Sequence, residues 1–458
     1  MKHLFSAVAL VMILLAGSQK SVAADVAAEA TTEISPGGVE YVRLYMPDTE
    51  DVAIQIAWPT AWAMRDSVNQ AVPYIGADLI LAGGATGFAP GEAAEIFLDL
   101  GAVGSLWVTS DALFGEILVP KENLDKAAEV AGVHLAQPTM DADWFRRIRD
   151  GFAASMAETL AQPATQGFDA LRWAVLGDTP LRLALAGDVS DIEAARHDEV
   201  LRWHAETVTR TGAHIVVAGD INASDAGAAI DALMAGLPEP VASTAPKPVA
   251  DFSPRRILLH LPDAPTSTLV FLGHLPPTRE GGEIEDVLLA SILGGTDNSV
   301  LFDATRTTLR AAYTFGAHID AYARDLRVIV LSGEVATEQL ASAENVVREA
   351  YAAFRDNVPV GDIGALIAPF AAQVELAVSN PQSTAHAALM ALLDGQDPGI
   401  ALRFREELDL VTDASLWLRA SSRFPAPDRM IIVAVSPDAT ALPGACVITT
   451  PSEAVRCR

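Results

Sequence analysis

A proline-rich break divides this chain into two halves that repeat one another, and the repeat limits the possible folds more than any other feature. The break runs from Gly236-Leu237-Pro238-Glu239-Pro240 to Pro246-Lys247-Pro248, a composition suited to an extended, exposed connection. Ile80-Leu81-Ala82-Gly83-Gly84 before it resembles Ile292-Leu293-Gly294-Gly295 after it, and Gly101-Ala102 is loosely matched by Gly316-Ala317. A strand-like run and then a helix follow in each half, the helices starting near Glu122 and Thr337, at an offset of about 211–216 residues throughout. A duplicated α/β unit of about 210 residues is the simplest account.

The local patterns are mixed. Ile215 to Gly219, Thr268 to Phe271, Val328 to Leu331 and Met430 to Val433 are short β-branched runs ended by Gly, Pro or Asp, the pattern of buried strands. After Thr337, read as an N-cap, the residues Leu340, Ala343, Val347, Ala350, Tyr351 and Phe354 fall at helical spacing. Glu344, Arg348 and Arg355 fall on the other face. That is an amphipathic helix covering a sheet. No tight βαβ repeat is present, so an α+β layer architecture is expected.

Residues 1–24 differ from the rest. Lys2 and His3 precede an apolar run of 13 residues, Leu4 to Ala16, and small residues follow at Ser21-Val22-Ala23-Ala24. This is the pattern of a secretory signal peptide, too short for a comfortable membrane span, with cleavage after Ala23 or Ala24. The expected product is exported, periplasmic or secreted, and has no membrane anchor. Loss of Lys2 and Lys20 lowers the 31 Lys and Arg to 29 against 59 Asp and Glu, a net charge of −30. Such a surface repels phosphate backbones and excludes nucleic acid as a natural partner. Cys446 and Cys457, both in the C-terminal tail, are a possible disulfide in an oxidising compartment.

Several chemistries are missing. No two histidines lie three to five residues apart, so no helix offers two imidazoles on one face to zinc. No G-x-S-x-G elbow exists. Gly83-Gly84-Ala85-Thr86-Gly87 lacks the Lys of a phosphate loop and reads as a turn.

The stretch Ile292 to Tyr313 carries a resemblance. It reads Ile-Leu-Gly-Gly-Thr-Asp-Asn-Ser-Val-Leu-Phe-Asp-Ala-Thr-Arg-Thr-Thr-Leu-Arg-Ala-Ala-Tyr, with Ser299 seven residues before Arg306 and Arg306 seven before Tyr313. This is similar to the second half of insulinase (pitrilysin) family zinc peptidases, where L-G-G is followed by S-R-L-x-x-x-L-R-E and G-L-A-Y. Val300, Thr305 and Thr307 depart from that pattern. In the first half, Leu100-Gly101-Ala102, then Asp111, then Val119-Pro120 resemble the family's L-G-A turn, strand-borne acid and strand ending in Pro. The family's zinc motif belongs just before Gly83. There the chain has Tyr74 to Ile80, with Asp78 as the only relic acid. The third ligand would fall near Ala154-Ser155, with Glu158 the nearest acid.

The resemblance implies two homologous α/β units, each a mostly antiparallel sheet covered by helices, joined by a linker into a clamshell. The expected boundaries are a signal peptide at 1–24, a first domain with a degenerate zinc region at 25–236, a linker at 237–252, a second domain at 253–440 and a tail at 441–458. It implies no metal and no autonomous catalytic residue in this chain, but a partner chain holding zinc in a heterodimer. Arg306 and Tyr313 would contact an unfolded peptide substrate and its transition state. Gly294, Gly295, Asn298 and Ser299 would border the chamber, and Tyr74 and Asp78 would mark the lost zinc site. The competing implication is a scaffold or binding protein of the same fold with no role in catalysis.

Overall fold

The computed structural model describes residues 29–66, 68–239 and 246–458. The signal-peptide expectation for residues 1–24 lies outside the described residues, as does part of the proline-rich connection. Twelve strands are described: β1 (Glu29–Ile34), β2 (Glu40–Tyr45), β3 (Asp51–Pro59), β4 (Val103–Val108), β5 (Ala112–Pro120), β6 (His214–Gly219), β7 (Arg256–His260), β8 (Ser267–Leu275), β9 (Ala312–Ala323), β10 (Leu326–Val335), β11 (Ile431–Ser436) and β12 (Cys446–Ile448).

They build two six-stranded sheets, ordered β1-β2-β6-β3-β5-β4 and β12-β7-β11-β8-β10-β9. Five strands in each share one order and one pattern of directions: β2 and β6 are parallel as β7 and β11 are, and the next three pairings are antiparallel in both. The sixth strand breaks the match, since β1 runs antiparallel to β2 while β12 runs parallel to β7. The residues beyond 440 are therefore part of the second sheet, not an appendage to it.

Each sheet buries both faces, and the second face of each is covered from the other half of the chain. In β3, Val52, Ile54, Ile56 and Trp58 pack with the helices Val72–Ala82 and Leu124–Ala136 of their own half. The alternate residues Ala53 and Ala57 meet Ala385, Ala388 and Leu389 of the helix Pro381–Leu393. Conversely, Ala170, Leu171 and Ala174 of the helix Pro163–Leu176 pack on Val270, Leu272 and Val433 of the second sheet. Small residues permit both approaches: a Cβ at Gly167 would strike Val435. In place of two lobes held by the 237–252 connection alone, the halves exchange helices, and opening a hinge there would strip both sheets of apolar cover.

A polar cluster locks one of these exchanges. Under the Pro381–Leu393 helix, Gln55 donates to Glu116, Gln382 Nε2 donates to Glu116 Oε1 at 2.5 Å, and His386 Nδ1 lies 3.4 Å from Gln55 Oε1. Burial, then the charge of Arg324, holds the His386 pKa below its usual 6.5. Burial lowers His134, His204, His214, His274 and His318 in the same direction. A group with a depressed folded pKa binds its proton more readily when unfolded. Stability from these histidines is therefore full above about 6.5 and lost as pH falls through their folded values. Burial raises Glu116, opposed by its two amide donors, so its contribution runs oppositely, falling as pH rises through its folded value. The expected result is a melting temperature that drops between pH 7 and pH 5, with unfolding that takes up more than a single proton in that window, measured by calorimetry across buffers.

The two cysteines are bonded, Cys446 to Cys457, with Cα atoms 5.7 Å apart and 11 residues of separation. The bond ties edge strand β12 to the 3₁₀ turn Pro451–Arg456. For a loop of this length, chain entropy assigns the cross-link about 3 kcal/mol. Cys446→Ala with Cys457→Ala is expected to lower the urea-unfolding free energy by about 2–3 kcal/mol, and a reductant should have no further effect on that variant.

Two local expectations are corrected. The helix after Thr337 starts at Leu340 and is preceded by a 3₁₀ turn, Thr337–Gln339, so Gln339 is its N-cap. The Thr337 hydroxyl instead meets Ser267 Oγ at 3.0 Å. Glu344 does not face solvent: it is 3% exposed and binds Arg256 through both carboxylate oxygens, at 3.0 and 2.6 Å, and Arg348 at 2.7 Å. An acid on the buried face of an otherwise apolar stripe is tolerated because it is fully paired.

Candidate functional site

Two regions hold the residues singled out by the sequence. The first is the Val72–Ala82 helix, where the zinc motif would lie. Tyr74 points into protein: its hydroxyl donates to the Ala184 carbonyl at 2.9 Å. Its ring meets Trp62 edge-on at 5.5 Å and Phe152 at 5.9 Å. Burial, slightly offset by Arg172, pushes the phenol pKa up to about 12, so it stays a neutral donor. Asp78 lies on the exposed side of the same helix. Gly76 lets Trp203 pack against the helix backbone, where a Cβ would collide with the indole ring.

The neighbouring helix Ala142–Leu160 would have supplied the third ligand. It turns Phe152 and buried Met156 toward this region and leaves Ala154 and Glu158 exposed. Aromatic rings, a thioether and an engaged neutral phenol do not fit a zinc ion, which takes thiolate, imidazole or carboxylate. Among the described residues, no group of three or more His, Cys, Asp or Glu is gathered to hold a metal. Gly83 and Gly84 form a turn pinned to residues 137–141. Thr139 Oγ1 donates to the Gly83 carbonyl at 2.9 Å, and the Thr139 amide donates to the Gly84 carbonyl at 2.9 Å.

The second region is the segment 294–314. Gly294 ends the helix Glu283–Gly294 where it crosses β9, and a Cβ there would collide with the backbone of Gly316 and Ala317. Gly295 is crowded by Ser291. Both glycines thus serve close backbone approach. Gly316, matched in sequence to the turn residue Gly101, instead lies inside β9, because β9 begins well before the crossing point. Asn298 is exposed, and its amide bonds Thr296 Oγ1 at 3.4 Å. Ser299 is 2% exposed, and its carbonyl accepts from the Asp303 amide at 3.0 Å.

Arg306 lies on a π-helix, Asp303–Thr308, and is exposed, with its guanidinium 5.2 Å from the Phe302 ring centroid. Thr305 anchors the π turn: it is buried, and its hydroxyl donates to the Leu301 carbonyl at 2.7 Å. Arg310 then takes a left-handed φ of 57°, costly for a residue with a Cβ. The Ala311 amide returns to the Thr305 carbonyl at 3.0 Å, so the chain enters β9 alongside the Arg306 turn. Ala312 pairs with Val335 and Phe315 with Gly333, so Tyr313 and Thr314 together face Glu334, a β-bulge. The Tyr313 side chain lies outside the described part of the structure. Its backbone places it at the bulge.

The strand-borne acid expected at Asp111 sits instead in the turn between β4 and β5. It accepts the Arg324 amide at 2.7 Å from the other half, and burial raises its carboxyl. Its work is to join the halves. A cleft beside Tyr74, lined by Gln70, Asp188 and Asp191, had no sequence signal, because its residues come from three separate segments.

The family model described as the Peptidase M16 inactive domain matches residues 194–368. No curated protein matches the sequence. Among solved structures, a peptidase M16 inactive domain from Pseudomonas fluorescens shares the fold with a TM-score of 0.78 at 17% identity, covering 89% of this chain and 98% of that one. A protease from Helicobacter pylori gives 0.78 at 14% identity, covering 90% and 100%. The periplasmic protease PqqL from Escherichia coli gives 0.69 at 13% identity, covering 94% of this chain but 50% of that one. The chain is an insulinase-family (M16-like) homologue whose residues 194–368 match the family's inactive domain and whose helix in the zinc position carries no histidine.

Proposed function

We propose that this chain is the exported, non-zinc-binding subunit of a two-chain M16-like metallopeptidase. It completes the chamber around an unfolded peptide and supplies Arg306 and Tyr313 to substrate and transition state. One observation carries the reading. A π-helix, a left-handed arginine and a β-bulge crowd into the 303–314 segment that bears both residues. Distortions of these kinds cost free energy and concentrate at functional sites. The chain's own residues would act as donors: the Arg306 fork to peptide carbonyls, the Tyr313 hydroxyl to charge developing on the scissile carbonyl oxygen. Hydrolytic chemistry would come from zinc held by the partner.

The partner role is supported by the PqqL alignment, which uses 50% of that chain and leaves its other half without a counterpart here. Export is supported by the charged head and apolar run of residues 1–24 and by the periplasmic setting of that same protease. A scaffold role is the second reading. It is favoured by Gly294 and Gly295, whose presence packing alone explains. Mixing the mature chain with a zinc-motif homologue from the same source tests the proposal. Co-elution as a heterodimer that cleaves an unstructured peptide, when neither chain does so alone, is expected. Co-elution without gained activity would select the scaffold, and failure to associate would contradict both readings of the partner.

A further inference from the structure

Where the zinc motif is lost, the structure has built something else. A cleft opens between the helices Val72–Ala82, Ala142–Leu160, Pro180–Ala186 and Val189–Ala194. Its inner end has room for about one water-sized group. Its walls are apolar, formed by Tyr74, Phe152 and Met156 among others. Its polar lining is all acceptor: Gln70, Asp188 and Asp191.

Gln70 is the informative residue. It is 4% exposed, and its Nε2 donates to the carbonyls of Arg65 at 3.1 Å and Val68 at 2.8 Å. Those two bonds fix the amide orientation. They leave Oε1 buried with no hydrogen-bond donor, a state that calls for an explanation in a folded protein. Asp188 caps the Val189–Ala194 helix through Oδ1, accepting the amides of Ser190 at 2.8 Å and Asp191 at 3.3 Å. Burial first, and then the neighbouring Asp188, raise the Asp191 carboxyl, with Arg182 partly opposing. Arg182 itself lies over the Trp173 ring at 3.7 Å and 3.8 Å from Asp178. It is already engaged there.

We propose that this cleft binds a primary ammonium group carried on an apolar arm, as a lysine side chain or a peptide amino terminus presents it. The inference deepens the peptide-binding reading above and rests on it. An orphan acceptor beside two carboxylates calls for a cationic donor. The narrow inner end admits a single nitrogen and excludes a planar guanidinium. The apolar walls suit a methylene arm. The net charge of −28 concentrates basic peptides near such a site.

The test is fluorescence anisotropy of the whole mature chain with labelled, unstructured peptides. One is N-acetylated with a single central lysine. The second replaces that lysine by norleucine, and the third is the norleucine peptide with a free amino terminus. The lysine peptide is expected to bind ~10-fold more tightly than the acetylated norleucine peptide. Recovery by the third peptide would identify the amino terminus as a second source of the ammonium. Asp188→Asn, which preserves a capping side chain, and Asp191→Asn should together bring the lysine peptide to the norleucine level, with melting temperature and norleucine binding unchanged. Equal affinity for the lysine and norleucine peptides, or full lysine binding by the doubly substituted chain, overturns the proposal. Arg306→Ala should leave this selectivity intact, so failure of the paired-peptidase reading and failure of this one give different results.

Discussion

Arg306→Ala, assayed in the reconstituted two-chain peptidase, is expected to lower kcat/KM by ~10²–10³-fold while the pair still forms. Arg306 is exposed, and exposed substitutions usually change stability by less than about 0.5 kcal/mol, so misfolding would not account for such a loss. A donor aimed at charge that develops only in the transition state affects kcat. One that merely holds the peptide backbone affects KM. Tyr313→Phe removes a single hydroxyl, and a loss of ~10²-fold, mainly in kcat, is expected from a transition-state donor. Arg306→Lys keeps the charge but not the planar fork, and intermediate activity follows. Initial rates on an unstructured peptide, with heterodimer formation checked by gel filtration, read all three.

The largest stability effect belongs to Asp286. This carboxylate is 0% exposed, in the first turn of the Glu283–Gly294 helix. Arg419 grips it twice, at 2.7 Å to each oxygen, and Arg327 adds a bond at 3.0 Å. Asp286→Ala would leave two arginines in a desolvated corner without their anion. Breaking a buried pair from one side costs about 3–5 kcal/mol, and a urea-unfolding midpoint lowered to match is expected. The same helix ends at Gly294 against β9, so loosening it also disturbs the entry to the Arg306 segment. The variant should therefore lose paired activity before it unfolds globally. A change below about 1 kcal/mol would mean that the arginines find other partners or water.

Local patterns were legible in the sequence where local physics decides them. The β-branched runs became β6, β8, β10 and β11 because a buried strand needs little more than such a run bounded by breakers. The stripe from Leu340 to Phe354 became a helix for the same reason. Glu344 was misread because its partner Arg256 is 88 residues away, and helical periodicity carries no information about what lies opposite. The helix exchange was also hidden. Gly167, Ala385 and Ala388 look like ordinary helix residues until the opposing sheets are in place. At the site, the spacing of Ser299, Arg306 and Tyr313 was readable, but the strain was not. Nothing in Asp303–Thr308 signals a π turn, and Arg310 is neither Gly nor Asn, the residues that usually take a left-handed φ. The orphan Gln70 oxygen was beyond reach for a further reason: an unsatisfied acceptor is a property of a packed interior.

Titrating this chain into a fixed amount of the zinc-bearing homologue, with peptide cleavage as the readout, tests the central claim most directly. The account predicts little activity at zero chain and a rise that saturates at a fixed stoichiometry. Arg306→Ala chain should compete with the native chain and pull activity back down. A zinc-bearing partner fully active alone and indifferent to added chain would contradict it, as would an Arg306→Ala chain that supports full activity.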